Sequence, residues 1–223
     1  MMKLLAIDTS TELASVAILI GDEIISREQD SQRIHAQLIL PMIDELIAQA
    51  GLGLNQLDGI IFGCGPGSFT GLRIACSIAK GLAYANDLPL IPVSSLAAIA
   101  WTAREIKEDF NQPVLSVLDA RMHEMYWSCF LEQQFLAQDR INAVKDIQLP
   151  VNQSFILAGV GIDLYWMDFP EQIKSQTSEV LTVFPTASAM IRLAQKANIK
   201  AVSVAQAQPV YVRNQVTQGD SRG

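Results

Sequence analysis

The stretch Gly63 to Arg73, Gly-Cys-Gly-Pro-Gly-Ser-Phe-Thr-Gly-Leu-Arg, constrains the fold more than any other part of the chain. It joins an apolar strand pattern, Leu57 to Phe62, to a helical pattern from about Thr70 to Tyr84, through a loop nearly devoid of side chains. Gly63, Gly65, Gly67 and Gly71 allow positive φ and close backbone approach, Pro66 stiffens the turn, and Ser68 or Thr70 can cap the helix. Something must therefore come close to this backbone. Two readings stand side by side: a phosphate held at the free N–H groups of the helix start, or a tight strand-to-helix turn packed against the chain itself.

Three motifs that share this outline are excluded by their required chemistry. A Walker A loop needs Gly-Lys followed by Ser or Thr, whereas Gly67 precedes Ser68 and Phe69 and the next lysine is Lys80, well inside the helix. The dinucleotide fingerprint G-x-G-x-x-G is missed, and no acidic residue follows at the expected distance. A nucleophile elbow centred on Ser68 would need glycines where Pro66 and Thr70 stand.

The rest of the pattern is read as two related halves. Lys3 to Asp8 and Leu13 to Ile20 are strands; Gly21 and Asp22 mark a hairpin to a third strand, Glu23 to Glu28, and a helix follows from about Ile34 to Ala50, with Pro41 expected to kink it. After the glycine-loop helix come a strand at Leu88 to Val93 and a helix from Leu96 to about Lys107, capped by Ser94 and Ser95. A second meander starts at Pro113 to Asp119, continues through Met125 to Leu131 and Gln134 to Ala137, and leads to a strand at Asn152 to Gly159. A helix at Thr186 to Ala197 and an extended piece at Pro209 to Arg213 complete the pattern. The expected class is α/β with two lobes, residues 1–108 and 109–223, and a disordered polar tail at 217–223.

Half of the 223 residues are hydrophobic, enough for a substantial core. The 16 basic side chains face 23 acidic ones, and a net charge of −7 opposes unaided binding of a polyanion, so any RNA is expected to be held through a partner. No charged-then-apolar leader precedes the first strand and no run is long enough to cross a membrane, which predicts a cytoplasmic protein. Cys64, Cys76 and Cys129 lack metal spacing and are expected as reduced thiols, with Cys64 either a small apolar filler or a reactive group in the glycine loop.

Asp8, Thr9, Ser10 and Thr11 place one carboxylate and three hydroxyls in a tight hairpin, suited to a phosphate or hydrated Mg²⁺, or else to an Asx-type turn. Asp119, Ala120 and Arg121 open the corresponding hairpin of the second half, where an Asp–Arg pair fastening the turn is the plainer reading. His35 and His123 are the only histidines and neither lies in a zinc motif, so catalytic zinc or iron is not expected. His35 reads as a surface or interface contact. The helix after the glycine loop is apolar almost all round, leaving Arg73, Ser77 and Lys80 as a thin polar edge, so either the fold or a second chain must cover it. Ile34, Ile39 and Ile43 extend the preceding helix in the same way, beyond its own stripe of Leu38, Met42, Leu46 and Ile47.

Taken together, Ile7 to Thr11, His35 to Glu45, Gly63 to Arg73 with Lys80 to Ala83, Val93 to Leu96, Leu118 to Met122 and Pro209 to Arg213 resemble the bacterial TsaB family, also called YeaZ, over nearly the whole chain. The resemblance implies the actin-like ATPase superfold, two RNase H-like lobes each with a mixed sheet flanked by helices. It further implies a non-catalytic subunit of the machinery that makes N6-threonylcarbamoyladenosine at position 37 of tRNAs reading codons that begin with A. The partners implied are the transferase TsaD, joined through the first two long helices, the P-loop protein TsaE, and a second copy when the chain is alone; tRNA is met only through the complex. On that basis His35, Leu38, Ile39, Met42, Leu72, Arg73, Ala75, Cys76, Ala79, Lys80 and Ala83 are the expected interface. No cofactor is required by the chain itself, while ATP or ADP and Mg²⁺ at the complex interface would meet Asp8, Thr9, Ser10, Thr11 and Asp119. The competing functions are an ATP-dependent phosphotransferase of the same superfold and, lowest, a peptidase, since related chains have been labelled glycoproteases.

Overall fold

Apolar runs pair into two five-stranded sheets in a computed structural model that describes residues 1–30, 35–149 and 152–213. The first half contributes β1 (Lys3–Asp8), β2 (Leu13–Ile20), β3 (Glu23–Asp30), α1 (His35–Ala50), β4 (Gly59–Gly65), α2 (Phe69–Asn86), β5 (Leu90–Ser94) and α3 (Ser95–Lys107). The second contributes β6 (Val114–Asp119), β7 (Glu124–Phe130), β8 (Arg140–Ala143), β9 (Phe155–Val160), α4 (Ile162–Tyr165), α5 (Glu171–Gln176), β10 (Thr177–Thr182) and α6 (Ala187–Lys196).

The two sheets have one topology. The first runs β3-β2-β1-β4-β5 and the second β8-β7-β6-β9-β10, each with an antiparallel meander of three strands joined to two parallel strands. This is the actin-like, RNase H-like arrangement expected from the resemblance, repeated once per lobe.

Side-chain alternation explains how the layers stack. On β1, Leu4 and Ala6 face the seam between the lobes while Leu5 and Ile7 face the opposite layer under α1 and α2. On β9, Ile156 and Ala158 join the seam, whereas Phe155 and Leu157 face an outer core with Ile162, Phe169 and Ile173. The seam itself is filled by α3 and α6, both rich in alanine. Each lies against the other lobe's sheet: α3 packs on β6 and β9, and α6 on β1, β2 and β4. The division expected at residue 108 falls between α3 and β6, and these two helices pack across it.

Local signals place several boundaries. Ser68, Ser94 and Thr186 accept the N–H of Gly71, Ala97 and Ala189 and so cap α2, α3 and α6, each cap being worth about 1 kcal/mol. Gly21, at φ 65°, makes the β2–β3 turn. Helix α1 runs from His35 to Ala50 with Pro41 inside it. Two expectations are corrected. The third strand of the second meander is β8, at Arg140–Ala143, not Gln134 to Ala137, and the fifth, β10, was not anticipated because Thr177–Thr182 opens on three polar residues and has only Val180 and Leu181 as apolar positions, at a sheet edge. Residues 209–213 join neither sheet. Ile34 and the tail at 217–223 lie outside the described residues, as does the side chain of His35.

Candidate functional site

The glycine loop lies against the chain's own first hairpin. A Cβ at Gly71 would fall 1.8 Å from the Thr9 carbonyl oxygen, one at Gly67 2.3 Å from that of Ser10, and one at Gly63 1.9 Å from Asp8 Oδ1. Hydrogen bonds close the same seam: Ser68 N–H donates to the Ser10 carbonyl at 2.7 Å, and the Thr9 hydroxyl donates to the Gly71 carbonyl at 2.7 Å. The loop's partner is therefore backbone, and an N–H at the start of α2 that a phosphate would use is already engaged. Of the two readings of this loop, close packing describes the structure.

Asp8 and Thr9 are fully buried by this contact. Asp8 Oδ2 accepts the Ser10 N–H at 3.2 Å and hydroxyl at 2.9 Å, while Oδ1 has no hydrogen-bond partner. Burial pushes the carboxyl up to about 7, against the smaller opposing pull of the two Ser10 donors. Asp8 and Thr9 thus lie beneath the cleft and do not line it, with Asp8 Oδ1 left as a buried acceptor.

Above them lies a cleft of about 2000 Å³ between the lobes. Ser10 and Thr11 line it from the first lobe with the loop Pro66–Thr70, and the β6–β7 turn with Asp119 lines it from the second. Asp119 pairs with Arg121 at 3.0 Å, accepts the Arg121 N–H at 2.7 Å, and accepts the Tyr165 hydroxyl at 3.3 Å, so it fastens its turn as expected. Arg121, Met122 and His123 all take positive φ, an unusual run that turns the hairpin sharply at the cleft edge. Four carboxylates, Glu12, Asp119, Glu124 and Asp163, line the cleft beside two cations, Arg121 and Arg213. Among the described residues no cluster of three His, Cys, Asp or Glu side chains is placed to hold a metal ion.

The expected interface residues divide by exposure. Ala75, Cys76, Ala79 and Ala83 are buried under α2 in the first lobe's own core, as are Ile39 and Met42 under α1, and Leu72 is buried against the glycine loop at Gly65, so none of these offers a contact surface. Leu38 packs half-buried against the same core, and Lys80 is held by the Ala207 carbonyl at 3.2 Å. Arg73 alone of the α2 set is exposed. The outward stripe is Phe69, Arg73, Ser77, Gly81 and Tyr84, with Ile74, Ile78 and Leu82 half-buried beside it; Phe69 is 53% and Tyr84 81% exposed. Its signal was present in the sequence as the thin polar edge, because a spacing of four puts Arg73, Ser77 and Gly81 on one face. On α1 the corresponding exposed apolar side chain is Leu40.

Cys64 is buried and its thiol is pushed up to about 12, chiefly by burial and further by the Asp139 carboxylate, which leaves it a filler and not a nucleophile. Sequence reading missed Arg104. This almost fully buried side chain donates to the carbonyls of Gln112 (3.0 Å), Gln134 (2.6 Å), Leu131 (2.6 Å) and Phe130 (3.3 Å), tying α3 to the end of β7.

Residues 20–200 match the family model described as TsaD, tRNA N6-adenosine threonylcarbamoyltransferase. The tRNA threonylcarbamoyladenosine biosynthesis protein TsaB of Haemophilus influenzae is 37% identical, over 96% of this chain and 94% of that protein. Its counterpart in Escherichia coli is 35% identical, over 96% of each. Among solved structures, YeaZ from Pseudomonas aeruginosa superposes with a TM-score of 0.86 at 35% identity, over 95% of this chain and all of that one.

Proposed function

Because the chain belongs to the TsaB family of tRNA threonylcarbamoyladenosine biosynthesis proteins, within the wider family that the TsaD model describes, we propose that it is the non-catalytic, activating subunit of the bacterial threonylcarbamoyl transferase complex. In this reading the complex forms N6-threonylcarbamoyladenosine at position 37 of ANN-decoding tRNAs, and this chain docks on TsaD through the outer face of α1 and α2. TsaE joins the larger assembly, tRNA is met through the complex, and the same face pairs two copies when TsaD is absent. The chain works in the cytoplasm.

The observation that carries the reading is the outer stripe of α2. Phe69 and Tyr84 stand exposed on either side of small side chains at Ser77 and Gly81, and a Cβ at Gly81 would meet nothing within 4 Å. Aromatic anchors around a small-residue track let a partner helix approach closely. A net charge of −7 agrees with contact to a protein and not directly to tRNA.

Gel filtration with purified TsaD tests it. The native chain is expected to co-elute, while Gly81→Arg, which leaves the core untouched, is expected to elute apart with an undiminished melting temperature. Separate elution of the native chain, or full transferase activity without it, would sink the proposal.

A second reading, an ATP-binding phosphotransferase, draws on the interlobe cleft. For a nucleotide and Mg²⁺ at the complex interface, the contacts we propose are Ser10, Thr11 and the Asp119–Arg121 turn, with Asp8 and Thr9 beneath them. Titration calorimetry with Mg·ATP that gives no binding heat, alone and with TsaD, removes both the phosphotransferase and this contact set.

A further inference from the structure

The chain after α6 returns to the first lobe and then leaves it. Val202 and Leu90 exchange backbone hydrogen bonds at 2.8 and 3.0 Å, Ala207 is buried in the core beneath α2, and the Val210 N–H donates to the Cys64 carbonyl at 2.7 Å. The Tyr211 ring packs on Phe69 with centroids 5.1 Å apart, and its hydroxyl oxygen accepts Arg73 Nε–H at 3.1 Å; the Arg73 guanidinium in turn covers the Phe69 ring at 3.7 Å. Two residues later the attachment is to the other lobe. Arg213 donates to the Ala120 carbonyl at 3.0 Å and pairs with Glu124, on either side of the positive-φ turn between β6 and β7.

We propose that residues 207–213 are a strap that sets the opening of the interlobe cleft. Residues 210–213 line the cleft they cross, whereas α3 and α6 join the lobes through the buried seam. Two lobes joined at a buried apolar seam, and tied across the cleft by this segment, form a hinge with a fastening at its mouth. The lobe-1 end of that fastening is Phe69 and Arg73, on the outer stripe of α2. A partner docking there touches the strap and shifts the cleft, and this last step rests on the docking reading above.

The full chain tests the strap directly, by amide hydrogen exchange and small-angle scattering on Arg213→Ala and Glu124→Gln. Both variants are expected to quicken exchange of the Val210 amide by about tenfold or more, since local opening then exposes its one bond to Cys64, and to raise the radius of gyration. The exchanged pair Glu124→Arg with Arg213→Glu rebuilds the ion pair but not the bond to the Ala120 carbonyl, so both readouts should return part of the way to native. Native values in both single variants overturn the strap. Because neither substitution touches α2, and Gly81→Arg touches α2 but not the strap, failure of the strap and failure of the docking reading are separable.

Discussion

Asp8 and Gly63 stand opposite each other across the parallel strands β1 and β4, so close that a methyl group at position 63 would lie 1.9 Å from the Asp8 carboxyl oxygen. The second lobe repeats the arrangement, with a Cβ at Gly161 falling 2.8 Å from Cβ of Asp119. Gly63→Ala therefore has to displace a buried carboxyl or a strand, and is expected to cost about 3 kcal/mol in urea unfolding. The same chemical change at Gly81, on the open face of α2, is expected to stabilise by about 1 kcal/mol through helix propensity. Equal effects at the two sites would contradict the assignment of the glycine loop to packing.

The buried Asp8 also ties stability to pH. Its folded pKa, about 7, lies above its unfolded value near 3.8, so the folded state holds the proton more tightly. The favourable contribution is complete below the unfolded value and is lost as pH rises through the folded one. Asp8→Asn keeps the shape without the charge. Relative to the native chain it should gain stability between about pH 4 and 7, by up to about 1.4 kcal/mol per pH unit, and keep a constant advantage above. Urea midpoints of the two proteins measured from pH 5 to 9 decide it; parallel curves would rule out a buried proton on Asp8.

Thiol chemistry separates filler from nucleophile in the glycine loop. With Cys64 pushed up to about 12, almost no thiolate exists at neutral pH, and burial blocks the reagent as well. A thiol-specific label at pH 8 in native buffer, followed by peptide mapping, should leave Cys64 unmodified until guanidinium is added, with the half-buried Cys129 reacting first. Native labelling of Cys64 at the rate of Cys129 would restore the reactive reading.

The fold was legible in the sequence where periodicity and punctuation agreed. Leu13 to Ile20 with Gly21, the Ser68 and Ser94 caps and the repeated meander gave two lobes of one design. Legibility failed where a strand carried no apolar run, as in β10, whose Thr-Ser-Glu opening at 177–179 reads as loop. The site was half legible. Hairpin chemistry at Asp8 to Thr11 was visible, but depth was not: a carboxylate at a strand end looks the same whether it faces a cleft or a glycine, and only the register of β1 on β4 buries it. On α2 the polar edge at Arg73 and Ser77 marked the outward face, but Ala75, Ala79 and Ala83 suit a helix partner and a sheet equally well, so the sequence did not say which of the two covers the apolar side.

Arg104 shows the converse, a polar side chain whose work is structural. Its three nitrogens close off the carbonyls of Gln112, Phe130, Leu131 and Gln134 where α3 meets the end of β7, and burial lowers its pKa from the ordinary guanidinium value without removing the charge's value to those acceptors. Arg104→Met keeps the length and apolar stem but leaves buried carbonyls without donors, so a loss of about 3 kcal/mol in urea unfolding is expected. Arg104→Lys should recover only part of it, since one ammonium cannot span donors that the guanidinium fork reaches in a single plane. Because α3 belongs in sequence to the first lobe and packs on the second, the loss should appear as faster amide exchange in β7 before β2. Uniform exchange across both sheets would mean that the lobes unfold as one unit and that Arg104 is not a local tie.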